Sequence, residues 1–178
     1  MKKALVMVIA VMLVLAGCGS MGPKESVREY LDAVRNMDVK TIEKHTSYED
    51  LVDYNELAKD REFTKLFFKN LEYKIISSEE GDGTAVVEVE ISNINLGDIT
   101  MQFMGQLFAQ AFSDAFSDNS DSLTDEELAV KYRDQFKALI EANKDNVVTS
   151  VVLIDLYEED GHWKIDMSGE LKNALLGN

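Results

Sequence analysis

Apolar residues after Pro23 recur with the period of a helix and predict two helices at the start of the folded region. In the first helix they are spaced by three and four residues and share one face, at Val27, Tyr30, Leu31 and Val34. Proline is favoured at helix starts, and Asp38 can cap a second short helix that reaches about His45. A further helical stretch runs over residues 47–68, with a break near Asp60.

The pattern then changes from the helical period to alternation, which predicts a first pair of strands. Apolar and polar residues alternate over residues 71–76 and again over residues 85–91. The acidic and glycine-rich segment 79–83 between them is typical of a turn. At Ile94 the apolar positions move to the opposite face, so we expect a β-bulge or the end of the strand near Asn93.

A second pair of strands is predicted near the end of the chain. The first of them covers residues 147–157 and is apolar on both faces at residues 151–154, which predicts a central strand covered on both sides. The sequence Asp160-Gly161 is typical of a tight hairpin turn. After the last strand, residues 171–176 are expected to form a final helical turn.

Two long helices separate the two hairpins. Residues 99–116 are nearly all apolar or small. The second helix has a clear start, because Thr124 and Glu127 have the spacing of a capping box and Leu123 and Leu128 that of a hydrophobic staple. Its expected core stripe is Leu128, Tyr132, Phe136, Leu139 and Ile140.

The order of these elements predicts an α+β fold. N-terminal helices should pack on a curved antiparallel sheet of about four strands, with the helix pair inserted between the two hairpins. At this length a single domain is expected, and it would cover residues 24–178.

The first eighteen residues resemble a bacterial lipoprotein signal. A basic start, Met1-Lys2-Lys3, precedes an apolar run over residues 4–16, which is too short to span a bilayer. Leu15-Ala16-Gly17-Cys18 then has the form of a lipobox, whose cysteine is lipidated and becomes the new N-terminus. The resemblance implies a signal peptide over residues 1–17, a lipidated tether over residues 18–23, and a domain anchored at the extracytoplasmic face of the cell membrane.

The composition argues against nucleic-acid binding and against a disulfide. The net charge is −15, and loss of Lys2 and Lys3 with the signal would leave 16 basic against 33 acidic residues, or −17. So acidic a chain is not expected to bind nucleic acid, whose affinity depends on basic residues that neutralise phosphates. Cys18 is the only cysteine, so no disulfide is expected. No cofactor is expected either.

The order of elements and two segments resemble the nuclear transport factor 2-like, or cystatin-like, α+β cone. The segments are Asp160-Gly161-His162-Trp163-Lys164-Ile165 in the last hairpin and Tyr30-Leu31-Asp32-Ala33-Val34 in the first helix. The resemblance covers residues 24–168, and the helix pair at 99–142 is longer than the family's usual connection. Such folds host isomerases, dehydratases, binding modules and dimer scaffolds, so the resemblance implies no activity.

Candidate catalytic groups are few, and their spacing brings no two of them together. Catalysis in such a cone would need an aspartate or histidine base opposite a tyrosine or aspartate donor, and the candidates are His45, His162, Tyr30, Tyr48, Tyr54 and Asp53. Both histidines are expected to be surface or structural residues. The chain has no Gly-x-Ser-x-Gly motif, and its one thiol would be acylated. We therefore expect a protein that is not an enzyme.

An acidic loop near residue 120 supplies the candidate metal ligands. Asp118, Asp121 and Asp125 carry oxygen ligands of the kind that calcium takes. The spacing of an EF-hand is not met, because the sixth position has no glycine and the twelfth position from Asp118 is Ala129. A solvated loop followed by an acidic first helical turn explains the same residues without a metal.

The apolar helix is the candidate binding surface. It carries more large apolar residues than one buried face requires, among them Phe103, Met104, Leu107, Phe108, Phe112 and Phe116. Ordinary burial between the sheet and the second helix is the leading interpretation. The alternative is a surface that meets a second copy, an apolar small molecule or another envelope protein.

These observations favour a membrane-anchored lipoprotein that acts as a non-catalytic module for binding a ligand or a protein. Two alternatives remain open at this point. One is an enzyme of the ketosteroid-isomerase type, which needs a carboxylate or histidine buried opposite a tyrosine. The other is a purely structural envelope lipoprotein with a packed interior.

Lipidation at Cys18 is directly testable. The substitution Cys18→Ser removes the sulfur that would carry the lipid, so we expect the variant to lose incorporation of a labelled fatty acid when expressed in bacteria. The unsubstituted chain, labelled in parallel, is the control. Continued labelling of the variant would show that the interpretation of the signal is wrong.

Overall fold

The computed structural model describes residues 21–47, 60–116 and 123–178. The helices and strands of these residues follow in the order α1 (Pro23–Asn36), α2 (Val39–His45), α3 (Arg61–Phe68), β1 (Glu72–Glu80), β2 (Thr84–Ile94), α4 (Leu96–Ala115), α5 (Asp125–Ala142), β3 (Val147–Glu159), β4 (His162–Ile165) and α6 (Gly169–Leu175). This is the predicted α+β arrangement, with helices before the sheet and a helix pair between the two hairpins.

The four strands form one antiparallel sheet in the order β1-β2-β3-β4. Strand β2 pairs with β3 along its whole length, from Thr84 opposite Tyr157 to Ile94 opposite Val147. Strand β4 is short and pairs only with residues 156–159 of β3. The sheet therefore has two distinct ends, one at the β3–β4 turn and one where β2 leads into α4.

The predicted irregularity near Asn93 is the end of the strand and not a bulge. Asn93 pairs regularly with Val148, and β2 ends one residue later. The bulge lies instead in β1, where the register shifts between Ile75 and Ser77. Asn93 points inward and continues the buried face of β2 with a polar residue. For this reason the alternation of apolar residues in the sequence breaks at Ile94.

The inner face of the sheet packs against α1, α2 and α6 in the larger of two hydrophobic clusters. Alternate residues of β2 point inward, so that Ala85, Val87, Val89 and Ile91 are buried between half-exposed residues. The predicted apolar face of α1 is fully buried. This cluster also contains Tyr30, Met37, Trp163, Met167 and Leu171. Packed side chains therefore fill the space between this face of the sheet and the three helices.

The prediction that β3 is covered on both sides is wrong. Its inner residues, including Val152 and Ile154, are buried, but Val151 and Leu153 on the outer face are each 56% exposed. In the residues that the structure describes, the helices that pack on the sheet belong to the inner cluster. Apolar residues on both faces of a strand therefore indicated β-propensity here, and not burial on both faces.

A smaller cluster forms at the end of the sheet where β2 leads into α4. Its buried members are Ile94, Leu96, Ile99, Leu139 and Ile140, which come from the strand end and the two long helices. Asn95 caps α4 by accepting a hydrogen bond from the Asp98 amide at 2.8 Å. The long helices are thus anchored to the sheet at their sheet-proximal ends.

Asn93 joins the two clusters through its side-chain amide, which is fully buried. Its Nδ2 donates to the carbonyl oxygens of Phe67 in α3, at 3.0 Å, and Leu175 in α6, at 2.6 Å. Its Oδ1 accepts from the Ile94 amide at 2.9 Å. The C-terminal turn packs directly over this corner, where Gly177 has φ +64 and a Cβ would lie 2.9 Å from the Asn93 carbonyl oxygen.

We expect Asn93→Ala to be strongly destabilising. The substitution leaves two carbonyls and one amide without their partner in a buried place, and a buried unsatisfied group costs about 1–3 kcal/mol. Urea unfolding followed by circular dichroism and by the fluorescence of Trp163, the only tryptophan, would measure the loss.

Ser92→Ala is the matched control, because Ser92 bonds only the Thr149 hydroxyl on the sheet's exposed face, at 2.8 Å. Its free energy of unfolding should change by no more than about 0.5 kcal/mol. Equal losses in the two variants would contradict the role assigned to Asn93.

Candidate functional site

The start of α5 is the predicted one, whereas α4 begins at Leu96, three residues before the predicted start at Ile99. Thr124 Oγ1 accepts from the Glu127 amide at 3.3 Å, and the Thr124 amide donates to Glu127 Oε2 at 2.9 Å. This is the predicted capping box. The hydrogen bonds from Thr124 lower the pKa of the Glu127 carboxyl. Helix α5 then runs back along α4, so the two helices form an antiparallel hairpin that extends from the end of the sheet.

Aromatic side chains from three helices meet beside this hairpin. Phe63 and Phe67 lie one helical turn apart on α3, and Tyr132 and Phe136 lie one turn apart on α5, so each pair shares a face. Phe136 is the central ring, with centroids 5.1 Å from Phe103 of α4 and 5.7 Å from Phe67. Most of the contacts are edge-to-face, the geometry that aromatic pairs prefer.

These rings line an open cleft of about 410 Å³, which we call the aromatic cleft. It is bordered by Phe63, Phe67, Phe103, Ala129, Tyr132, Arg133 and Phe136. Its position, between α3 and the helix pair, differs from that of a pocket inside the cone.

Arg133 is the charged residue at the rim of the aromatic cleft. Its guanidinium lies 5.7 Å from the centroid of the Phe63 ring, within the range of a cation–π contact. It also forms an ion pair with Asp60, which caps α3 by accepting from the Phe63 amide at 3.3 Å. The positive charge is therefore compensated, and the cleft is mainly an apolar surface.

The candidate binding surface on α4 divides between the two sides of that helix. Phe103 and Leu107 are half-buried, and Phe103 belongs to the aromatic cleft. Met104, Phe108, Phe112 and Phe116 face away from α5 and are exposed, Phe108 by 73%, Phe112 by 70% and Phe116 by 78%.

The leading interpretation, burial between the sheet and the second helix, is therefore wrong for these exposed residues. Helix α5 covers one side of α4, and in the described part of the chain nothing covers the other. Only the surface interpretation remains for this part of the helix.

Sequence reasoning did not identify Phe63, Phe67 and Arg133 as site residues. The sequence pattern that could have identified them is repeated in two helices: α3 and α5 each carry two aromatic residues four positions apart. That pattern is equally typical of a core stripe. Only the tertiary arrangement shows that these faces meet at an open cleft.

His45 is buried and structural, in agreement with its interpretation from the sequence. It is 2% exposed, with Nε2 2.7 Å from Glu29 Oε2 and Nδ1 3.3 Å from the Trp163 carbonyl oxygen. Both oxygens are hydrogen-bond acceptors, so each ring nitrogen lies against a protein group. The residue ties α2 to α1 and to β4.

Among the described residues, no two of the remaining catalytic candidates contact each other. The Tyr30 hydroxyl is buried and donates to Met167 Sδ at 3.0 Å, and His162 is exposed beside the last turn. Tyr48, Asp53 and Tyr54 lie outside the described residues, as does Cys18. Among the residues that are described, the buried polar side chains are Ser26, His45, Thr46, Thr64 and Asn93, with no carboxylate.

The candidate calcium ligands are only partly described. Asp125 lies exposed in the first turn of α5, where its charge suits the helix dipole. Asp118 and Asp121 lie outside the described residues. Within the described ranges, no group of three histidine, cysteine, aspartate or glutamate residues is placed to hold a metal ion.

A second depression, of about 470 Å³, lies between the end of α1 and the start of β3. It is lined by Arg35, Lys69 and Lys144 among other polar residues. Arg35 is paired with Asp32 at 2.6 Å, and Lys69 is paired with Glu141. Two of its cations are therefore already neutralised, which makes it a weak place for an anion.

No family model and no curated protein matches the sequence. A solved structure with a related arrangement is that of a putative lipoprotein, YcdA, from Bacillus subtilis, at 18% identity and a TM-score of 0.44. The match covers 87% of this chain and 58% of that one, so the chain spans little more than half of its neighbour. In the described ranges, no helix is both long and apolar enough to cross a membrane.

The ion pairs of Glu29 predict a pH-dependent contribution to stability. The Lys44 ammonium, 2.9 Å away, and the His45 ring lower the pKa of the Glu29 carboxyl below its ordinary value of 4.5, and partial burial opposes them. A lowered pKa stabilises the fold above pH 4.5, and this stabilisation is lost as the pH falls through the folded-state value.

We therefore expect Glu29→Gln to lower the urea midpoint near neutral pH. The difference from the unsubstituted chain should shrink well below pH 4.5, where both carry a neutral side chain. Glu43→Gln, at an exposed position of α2, is the control and should show neither effect. A difference that stays constant across this range would contradict the ion-pair assignment.

Proposed function

We propose that the chain is a bacterial lipoprotein, held by lipid on Cys18 at the extracytoplasmic face of the membrane, whose domain binds an apolar small molecule without chemical change. The observation that carries the proposal is the aromatic cleft, an open site lined by five rings from three helices. The signal-like sequence before Cys18 supports the anchor.

The size and lining of the cleft favour a small ligand with at least one flat ring. Its volume of about 410 Å³ falls in the range of about 300–1,000 Å³ typical of small-molecule sites. Phe67, Phe103 and Phe136 already make edge-to-face contacts, which a further ring could extend. Tyr132 also lines the cleft, and its hydroxyl would orient a polar substituent on such a ligand.

Charge argues for a neutral ligand. Arg133 is paired with Asp60 and stacked near Phe63, so an anion would have to displace that carboxylate. A cation would meet the guanidinium at the rim. Removal of apolar surface from water is therefore the expected driving force, at about 25 cal/mol per Å².

The isomerase alternative receives no support from the described interior. It requires a histidine or carboxylate opposite a tyrosine inside the cone. The histidine there has both ring nitrogens engaged, and the described buried side chains include no carboxylate. A non-catalytic binding role is therefore preferred.

The anchor and the cleft would stand at opposite ends of the domain. Met21 lies beside His45 and Trp163, near the β3–β4 turn, whereas the helix pair begins at the other end of β2. Eleven residues of β2 separate these ends, about 35 Å at the rise of a strand. A lipid on Cys18 would thus leave the cleft facing away from the membrane.

Filling the cleft is a direct test of the proposal. We expect Ala129→Trp to place a ring inside the cleft, since Ala129 lines it without belonging to either hydrophobic cluster. Binding of the neutral fluorescent probe N-phenylnaphthylamine should weaken at least about tenfold, the loss of about 1.4 kcal/mol. The thermal midpoint should stay the same or rise.

Ala138→Trp is the matched control, because it adds the same ring at an exposed position of α5 that does not border the cleft. Native mass spectrometry of protein purified gently from bacteria adds a second readout. A small mass that leaves on activation, and is missing from Ala129→Trp, is the expected result. Equal probe binding by both variants would overturn the cleft as the site.

A further inference from the structure

Helix α4 carries a second apolar face that the aromatic cleft does not use. The outer α4 stripe, as we call it, follows helical spacing along about four turns and consists of Met101, Met104, Phe108, Phe112 and Phe116. All five side chains are exposed, and Phe112 and Phe116 contact only each other among the aromatic pairs described, at 4.8 Å. The opposite side of the helix carries Ile99, which is fully buried, and Phe103.

The outer α4 stripe is large for an unpartnered surface. Phenylalanine carries about 150–250 Å² of surface, so five side chains exposed to this degree present on the order of 600 Å² of apolar area. The largest such patch on a monomer is typically about 300–600 Å², and patches at that limit mark interaction sites. A stable interface buries about 800 Å² on each partner, so the stripe supplies most of one side.

Charge along the helix favours a partner that is also apolar and uncharged. No charged residue lies between Asp98 and Asp114, although the chain as a whole carries −15. Two copies of so acidic a chain would repel each other through most of their surfaces. Over residues 99–113 the outer α4 stripe is a face on which two copies can meet without bringing carboxylates together.

The membrane is a less suitable occupant of this face. Met21 lies three residues after Cys18, so the Cα of Cys18, the residue that would carry the lipid, could be no more than about 11 Å from that of Met21. Helix α4 begins at the opposite end of the sheet from Met21. This step depends on the anchor in the proposed function, whereas the arguments from area and charge do not.

We propose that the outer α4 stripe is the contact surface of a homodimer in which the α4 helices of two copies pack antiparallel. The order of side chains along the stripe supports this direction. Methionines occupy its first half and phenylalanines its second half, with Phe108 between them. A two-fold axis at Phe108 sets Met104 of one copy against Phe112 of the other and brings Met101 within one residue of the position opposite Phe116, so that both pairs can form favourable sulfur–aromatic contacts.

Mass in solution tests the dimer. A chain that begins at residue 19 keeps both hydrophobic clusters, whose members all lie within residues 27–175. We expect it to show twice the monomer mass by light scattering, and sedimentation equilibrium should give a dissociation constant at least about tenfold weaker for Phe108→Asp. Circular dichroism should be unchanged, since Phe108 is exposed.

Ile76→Asp is the matched control, because it makes the same kind of change at an exposed apolar residue in the bulge of β1. It should leave the dimer intact. A monomer at every concentration, or equal effects of the two substitutions, would overturn the proposal. Probe binding to the aromatic cleft is measured separately, so failure of the dimer and failure of the cleft are distinguishable.

Single cysteines test the direction of packing, since the chain from residue 19 has none of its own. In the antiparallel arrangement Phe108→Cys lies next to its own copy and should form a disulfide-linked dimer under mild oxidation. Met101→Cys should not, because its neighbour is Phe116. Efficient crosslinking through Met101→Cys would overturn the antiparallel arrangement.

Discussion

The hydrogen bonds of the Asn93 side-chain amide are the interaction on which the arrangement of the helices and strands depends. The amide sits at the end of β2 and bonds α3 through the Phe67 carbonyl and α6 through the Leu175 carbonyl. The three elements come from distant parts of the chain, and each brings a backbone group that would otherwise be buried without a partner. One polar residue on an apolar strand face therefore fixes how the strand ends, where the C-terminal turn packs, and where α4 begins.

This corner separates two parts of the domain with different roles. On one side the sheet, α1, α2 and α6 enclose the larger packed cluster. On the other side a small cluster anchors the helix pair by its sheet-proximal ends. The larger cluster is best understood as a scaffold that holds the hairpin of α4 and α5 in place.

Within the hairpin, α4 presents apolar residues on two opposite sides. One side joins the aromatic cleft through Phe103, and the other is the outer α4 stripe. A helix that is apolar all round is normally buried, and burial of both sides here would take a partner beyond the described chain. The proposed small molecule and the proposed second copy would therefore meet different sides of the same helix.

The sequence by itself determined the elements and much of their order, because helical and strand periods are local properties of the chain. It predicted the capping box at Thr124, the buried face of α1 and the final hairpin correctly. It could not determine which apolar surfaces would be covered, since this depends on what packs against them. Phe108 and Leu153 have the composition of core residues but are exposed, whereas Asn93 is polar but buried. The tertiary structure alone decided these three cases, because burial is set by neighbours that are distant in the chain.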